Sequence, residues 1–278
     1  MNVVNAWRSL NAEQKGILRD KRVTLDRPVD ELLTLLKPLA KCDAMADKSR
    51  TRLGCSFAIA IVVTVVLAFT VGMIAAVAML VLTIAVGYFY FWTKRIDVSN
   101  NFRQFVIPVL SVFREDIGPA QPVHLELDLS SPTAPGKKQN ESAPYEAGVY
   151  YKVIDTTYVD PWMSAEAVLV DGTKLSWRVT DAIRERTKTK RNARGKHKTK
   201  TKYTKKTNLE VTLGLRKKTY ELTAPADADV SSNAKRNVVT REQLIRSESL
   251  DPIDPRALID LIADVYRHAR VAKKGAGA

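Results

Sequence analysis

Cysteine and histidine are scarce in this sequence, which limits the covalent and metal-held structures that it can build. The 278 residues include two cysteines, Cys42 and Cys55, and three histidines. Two cysteines cannot form the disulfide framework of a small secreted protein, so the chain suits a reducing compartment. The histidines, His124, His197 and His268, lie in three different segments away from the cysteines, so no zinc-binding spacing exists. We expect no metal and no cofactor.

Motifs of the common enzyme classes are also missing. The segment 135–138, Pro-Gly-Lys-Lys, lacks the first glycine and the Ser or Thr of a phosphate-binding loop, and Gly195-Lys196 fails for the same reason. The sequence has no Gly-x-Ser-x-Gly nucleophile motif. We therefore expect that the protein is not an enzyme.

The sequence also contains one long stretch without charged residues. From Cys55 to Trp92, a run of 38 residues, the chain has no Asp, Glu, Lys, Arg, His, Asn or Gln. A single helix of this length would reach roughly 57 Å, whereas the hydrocarbon core of a bilayer is about 30 Å thick. Two spans that turn at Gly72 fit better. The alternatives are a deep, short turn and one longer helix packed against a partner. The predicted transmembrane hairpin covers residues 51–95, with spans at about 55–71 and 73–92.

Basic residues flank this run on both sides. Lys48, Arg50 and Arg52 precede it, Lys94 and Arg95 follow it, and the turn has no charge. By the positive-inside tendency, both flanks face the cytoplasm. We expect an integral membrane protein with both termini cytoplasmic, in a bacterial inner membrane. Because the run lacks the ionisable residues that usually mark a proton or ion path, a transporter or channel acting alone is disfavoured.

The segments around the hairpin show helical patterns. Residues 1–50 predict N-terminal cytoplasmic helices, with Asn11 and Gln14 as a capping box. Asp26 is expected to cap a second helix that Pro38 ends or kinks. Residues 99–117 predict an amphipathic connecting helix, which either lies in the membrane interface or packs as core; core is favoured.

Two further helices are predicted near the C-terminus, over residues 238–272. Thr240 with Gln243 resembles the cap of the first helix, and Asp254-Pro255 is typical of the start of the second. The second carries apolar side chains on one face, at Leu258, Leu261, Ile262 and Val265.

Between these helices the apolar period changes to two, which is typical of β-strands. Alternation over 123–129 predicts a half-buried strand, and 131–147 is rich in loop residues. Residues 152–159 and 163–170 predict two strands separated by Asp160-Pro161, and Asp171-Gly172 marks a hairpin turn. Connections this short allow only antiparallel pairing, so residues 119–224 are predicted to form an antiparallel β domain.

The net charge of +14 is concentrated in one segment of this domain. Between Arg184 and Lys206, twelve basic residues and one acid, Glu185, give +11. We expect this segment to bind a polyanion or an acidic partner. Its basic residues are Arg184, Arg186, Lys188, Lys190, Arg191, Arg194, Lys196, Lys198, Lys200, Lys202, Lys205 and Lys206.

Residue parity predicts a register for the ribbon formed by residues 175–215. On both strands, apolar residues and then threonines occupy odd positions, while basic residues occupy even positions. A three-residue loop, Ala193-Arg194-Gly195, preserves this parity, with Gly195 in the left-handed conformation. The expected pairs are Trp177–Val211, Val179–Leu209, Arg186–Lys202, Thr187–Thr201, Lys188–Lys200, Thr189–Thr199 and Lys190–Lys198. The tip would be a two-stranded arm of roughly 40–50 Å.

These patterns predict an α+β membrane protein: a transmembrane two-helix hairpin, a cytoplasmic antiparallel β domain with a long basic β-ribbon, and flanking helices. The ribbon could dock an acidic protein, lie on anionic lipid headgroups or bind nucleic-acid phosphates. A solvated edge guarded by lysines is the remaining interpretation. Only Tyr203 could stack on a base among the basic tip residues, so nucleic acid is not favoured.

The function expected from the sequence is that of a membrane-anchored structural or adaptor protein. Its basic ribbon would dock an acidic partner within a larger membrane assembly. One alternative is a subunit of an oligomeric channel or transporter, in which several copies of the hairpin line a path. Another is a membrane tether for nucleic acid or anionic lipid.

Overall fold

The computed structural model describes residues 3–70, 72–192, 194–223 and 228–272, and their elements combine helices with antiparallel sheet. These residues form two compact units. The first takes in the chain up to Lys21 and then Thr34–Val98. The second takes in Arg22–Leu33 and the chain from Ser99 onward.

The first unit begins with two short helices, α1 (Val3–Arg8) and α2 (Ala12–Asp20). The predicted capping box is confirmed. The Gln14 backbone N–H donates to Asn11 Oδ1 at 2.8 Å, and the Asn11 N–H donates to Gln14 Oε1 at 2.9 Å. The Gln14 side chain also donates to the Leu35 carbonyl, so the cap residue joins α2 to the following helix.

Two long apolar helices follow, α3 (Val29–Thr70) and α4 (Met73–Ile96), and both are long and apolar enough to cross a membrane. Of the two effects expected at Pro38, an end or a kink of the helix, the end is wrong, since α3 continues through this residue. The buried side chains of Leu36 and Leu39 on either side stabilise that turn by packing.

Small and hydroxyl side chains line the contact between α3 and α4. Thr64 Oγ1 and Thr83 Oγ1 lie 3.0 Å apart and share a hydrogen bond. A Cβ atom at Gly87 would come within 2.8 Å of the Phe57 ring, so glycine allows the ring to approach this closely without a shift. Gly72 turns the chain between the helices with a φ of 117°. The hairpin therefore packs against itself.

A cysteine pair tests this packing. In a background without Cys42 and Cys55, we expect T64C/T83C to form an intramolecular disulfide on mild oxidation, because the two replaced hydroxyls touch. Maleimide labelling of the oxidised protein should then find no free thiols. The control T64C/I84C should keep both thiols free, since Ile84 is exposed. A disulfide-linked dimer in place of the internal bond would show that these helices pack between copies.

The second unit is built on a sheet of antiparallel strands. The strands are β1 Arg22–Pro28, β2 Pro122–Asp128, β3 Lys138–Glu141, β4 Tyr145–Ala147, β5 Tyr150–Val168, β6 Lys174–Arg191, β7 His197–Arg216, β8 Tyr220–Leu222, β9 Asp229–Ser232, β10 Arg236–Ser247 and β11 Ala269–Val271. The strand order in the sheet is β1-β2-β5-β6-β7-β10-β9, with β3 and β4 pairing with β5, and β8 pairs with β11 separately.

Helices cover part of this sheet. A π-helical turn, Phe102–Val106, continues into α5 (Ile107–Phe113). Six of the apolar side chains are buried, which confirms the preference for core over membrane interface: Phe102, Phe105, Val106, Val109, Leu110 and Phe113. Helix α6 (Arg256–Arg267) confirms the last predicted helix, and the four predicted apolar side chains are all buried. A short 3₁₀ turn, Pro135–Lys137, precedes β3.

Three predictions about elements were wrong, each because pairing with a distant strand overrides a local signal. Asp26 caps no helix but lies in β1, which pairs with β2 along its whole length. The strands predicted on either side of Asp160-Pro161 are one strand, β5, which absorbs Pro161 where its register with β6 shifts. Thr240 and Gln243 do not cap a helix but lie in β10, which pairs with β7.

Other local predictions are confirmed. The odd residues of β2 are buried as its alternation indicated. Asp171-Gly172 turns the chain between β5 and β6, with a φ of 79° at Gly172. The segment predicted as a loop, 131–147, does contain turns but also contributes β3 and β4 to the edge of β5.

Candidate functional site

The basic ribbon is the hairpin of β6 and β7, and its predicted register is confirmed. All seven predicted pairs are present, from Trp177 opposite Val211 at the base to Lys190 opposite Lys198 near the tip. Trp177 and Val211 are both buried. The threonine pairs share side-chain hydrogen bonds, at 3.2 Å for Thr187–Thr201 and 3.1 Å for the next pair.

The turn of the hairpin is fixed by Asn192. Its N–H donates to the Lys196 carbonyl at 2.9 Å, and its side-chain oxygen accepts from the N–H groups of Arg194 and Lys196. Gly195 has a φ of 75°, the left-handed conformation that the parity argument required. Ala193, the first residue of the predicted loop, lies outside the described residues.

The ribbon is not the free two-stranded arm that the sequence predicted. β5 runs along β6 as far as the pair Lys152–Thr189, and β10 runs along β7 as far as Ser247–Lys205. An isolated pair of strands is marginal in water, and lysines placed directly opposite each other weaken it further. The third strand provides the stabilisation that such a ribbon needs.

Even-numbered residues of β6 and β7 place seven cations on one surface, called here the basic face. It consists of Arg184, Arg186, Lys188, Lys190, Lys198, Lys200 and Lys202. In the part of the chain that the structure describes, no carboxylate lies within ion-pair distance of its five lysines. The three lysines on β7 are exposed. This face therefore carries uncompensated positive charge toward solvent.

The two arginines of the basic face, in contrast, share one carboxylate. Arg184 and Arg186 each form two hydrogen bonds with Asp155 on β5, at distances between 2.7 and 3.2 Å. The Tyr145 hydroxyl donates to the same carboxylate at 2.7 Å. Burial alone would raise the pKa of Asp155, but the hydrogen bonds from Arg186 and Tyr145 outweigh it and lower the pKa. Asp155 thus anchors the base of the face and neutralises part of its charge.

Aromatic residues of β5 lie beside the ribbon, and sequence reasoning missed them. Lys188 Nζ lies 5.3 Å from the centre of the Tyr150 ring, a cation–π contact. The Tyr151 hydroxyl is 2.7 Å from His197 Nδ1. The adjacent tyrosines at the start of a strand were the available signal, but their partner strand could not be assigned from sequence.

The remaining predicted site residues occupy different surroundings. Arg191, Arg194 and Lys196 are exposed at the turn, and Lys206 is exposed on the even-numbered side of β7. Lys205 is different, because only 2% of it is exposed. Its ammonium donates to the Asp251 carbonyl and lies 4.0 Å from Asp181. The structure therefore removes Lys205 from the predicted binding surface.

A groove of about 660 Å³ borders the basic face where β10 leaves β7. Its basic side is formed by Arg184, Arg186, Lys188 and Lys202, and residues 248–250 form the other side. The groove is open and cationic, which suits an extended anionic group better than a small buried ligand.

A second charged cluster, which the sequence did not reveal, is buried at the base of the ribbon. Asp160 on β5 lies directly opposite Asp181 on β6, and both are about 1% exposed. Lys137 Nζ approaches Asp160 at 2.7 Å, and Thr207 donates to Asp181 at 2.5 Å. Asp160 was interpreted as a turn residue, and only the pairing of β5 with β6 shows its neighbour.

Burial raises the pKa of Asp160 to about 6, and the hydrogen bond from Lys137 opposes this shift. An unfolded aspartate titrates near pH 3.9. The folded state therefore holds more protons between about pH 4 and pH 6, and the contribution of Asp160 to stability falls as the pH rises through that window. Lys137 limits this cost by supplying a cation.

The comparisons with known proteins give no relative. No family model matches the sequence, and no curated protein or solved structure is significantly similar to it.

Replacing Lys137 tests the buried cluster. We expect K137M to lower the free energy of unfolding at pH 7 by about 3 kcal/mol, because Asp160 then stays buried without its cation. The loss should be smaller at pH 5, where Asp160 can be protonated. Urea unfolding in detergent, followed by tryptophan fluorescence, measures both values.

The control for this experiment is K138M, which changes an exposed lysine next in sequence and should leave stability nearly unchanged. The double variant K137M/D160N should recover part of the loss, since both charges are gone. Equal losses at pH 5 and pH 7 would contradict the assigned role of Asp160.

Proposed function

We propose that this chain is a membrane-anchored structural or adaptor protein whose basic face docks an acidic protein partner. The observation that carries the proposal is the contrast within the ribbon. The arginines at its base have Asp155 as a counter-charge, whereas the five lysines of the same face have no carboxylate within ion-pair distance among the described residues. Lysines held opposite each other repel, and an external anion relieves that repulsion.

The anchor in this proposal is the hairpin of α3 and α4. Most of its large apolar side chains point outward, with Phe69 87% exposed and Ile74 90% exposed. Such a surface is stable in hydrocarbon and unfavourable in water. Its polar groups satisfy one another, as in the Thr64–Thr83 hydrogen bond, which suits an anchor rather than an ion path. The basic flanks favour a cytoplasmic location for both termini.

A protein partner fits the geometry better than a lipid surface does. The lysines of the ribbon are held by paired strands at fixed positions, with Thr187–Thr201 and Thr189–Thr199 hydrogen bonds on the opposite face. Fixed spacing gives selectivity only when the partner's charges are fixed too. Headgroups that diffuse in a bilayer gain nothing from such rigidity.

Nucleic acid is the second candidate, favoured by one observation. Tyr145 and Tyr151 are exposed next to the ribbon and supply aromatic surface that the tip sequence lacks. Bases stack on such side chains while cations hold the phosphates.

Charge reversal tests the proposal. We expect K188E/K190E/K198E/K200E to abolish binding of the acidic partner without unfolding the domain, because Lys198 and Lys200 are exposed and Lys188 and Lys190 are half-buried, all outside the core. Full-length protein is purified in mild detergent at near-physiological salt, and stoichiometric co-purifying protein is quantified. The matched control is K217E/K218E/K235E/R256E, which reverses four exposed cations elsewhere and should retain the partner.

The outcomes separate the candidates. Loss of a stoichiometric protein in the ribbon variant alone supports docking. Material with a high 260/280 absorbance ratio that dissociates steeply and log-linearly with salt would instead support the nucleic-acid tether. Equal retention by both variants would reject a role for the ribbon.

Cysteine labelling tests the anchor and its orientation. In a cysteine-free background, we expect M73C to react with a membrane-impermeant maleimide on intact cells, because Met73 follows the turn at Gly72 and is 81% exposed. K196C, at the ribbon turn, should react only after lysis. The opposite pattern would invert the topology, and recovery of the chain in the soluble fraction would exclude the anchor.

A further inference from the structure

One backbone edge of the ribbon is open. β7 pairs with β10 from Lys205 toward its C-terminal end, but from His197 to Thr204 it pairs with β6 alone among the described strands. We call this segment, His197–Thr204, the open edge. On the other side of the ribbon, β5 pairs with β6, and β3 and β4 in turn cover the edge of β5. Among the described residues, the long open stretch of the ribbon therefore lies on β7.

The direction of the open backbone groups follows from the turn. The Asn192 N–H donates to the Lys196 carbonyl, which makes that pair hydrogen-bonded. In an antiparallel ladder such pairs alternate, so Lys198, Lys200 and Lys202 bond to β6. The N–H and C=O groups of Thr199, Thr201 and Tyr203 then point away from β6. These groups form the hydrogen-bonding template that an added strand needs.

The side chains at this edge select the added strand by charge. Lys198, Lys200 and Lys202 alternate along it on the basic face. A second copy of the same edge would place lysine against lysine, which is unfavourable. An incoming strand with acidic residues at every second position places each acid beside a lysine instead. Its intervening residues meet the threonine face and are best neutral and small or β-branched.

We propose that an extended acidic segment of the partner adds to the open edge of β7 as a further strand, in line with the end of β10. This mode of binding rests on the proposed function and specifies its partner: alternating acidic and neutral residues over about eight positions. The groove beside the edge has the cations for this role, and the chain's own Glu248 already lies in its wall. Main-chain bonds supply affinity and the alternating charges supply selectivity.

The test uses the synthetic peptide acetyl-(Glu-Thr)₄-amide, labelled for fluorescence anisotropy, with the full-length protein in detergent. In the bound strand the amides of the neutral residues face β7, and those of the acidic residues face outward. N-methylation of the threonine amides should weaken binding at least about tenfold. N-methylation of the glutamate amides is the matched control and should change it little.

Variants of the protein give a second, independent readout. T201P removes an outward N–H and should weaken peptide binding at least about tenfold. T201V keeps that N–H and should bind like the unchanged protein. The thermal midpoints of both variants show whether the sheet has been preserved. The comparison of the N-methylated peptides uses the unchanged protein, so it does not depend on how the variants fold.

The outcomes distinguish this mode from the proposed function. Discrimination between the two N-methylated peptides supports strand addition. Equal binding of both peptides, with loss in K188E/K190E/K198E/K200E, would overturn strand addition and leave charge-based docking intact. If the peptide does not bind at all, but K188E/K190E/K198E/K200E still loses the co-purified partner, strand addition is likewise overturned and charge-based docking is left intact. Failure of the charge reversal itself would overturn both.

Discussion

The pairing of β6 with β7 is the constraint on which the rest of the second unit depends. The two strands have 18 and 20 residues, so they continue from the core to the tip of the ribbon without a break. Because side chains alternate, the register that buries Trp177 against Val211 also places Lys188 beside Lys200 on the solvent side. A slip by one residue would expose the tryptophan and move the lysines to the threonine face. Core packing and surface charge are therefore set together.

Charged residues along this pair of strands have three different kinds of surroundings. At the base, Asp160 and Asp181 are buried with Lys137 and Lys205 and must be compensated within the fold. Further along, Arg184 and Arg186 share Asp155 at the surface. Near the tip, the lysines of the basic face have no carboxylate within ion-pair distance among the described residues. Distance from the core decides whether a cation stabilises the fold or remains available to a partner.

The proposed role follows from the combination of anchor, rigid ribbon and open edge. Each element alone has a common structural explanation, whether as packed helices, a long hairpin or a protected strand. Together they describe an apolar hairpin whose run from Cys55 to Trp92 has no charged side chain, and a cationic surface whose backbone can still accept a strand. An adaptor needs these two properties: retention at a surface and a selective docking site.

Patterns within short stretches determined much of this protein. The charge-free run determined the two apolar helices, and residue parity determined the register and turn of the ribbon. Tertiary structure alone decided what depends on remote strands. β1 formed where Asp26 favoured a helix cap, because it pairs with β2 over seven residues. β10 formed where Thr240 and Gln243 favoured another, because twelve residues of pairing with β7 outweigh one local cap. The role of Asp155 as a shared counter-charge and the burial of Lys205 also depend on remote strands. Periodicity shows which face a residue occupies, but only pairing shows what lies opposite it.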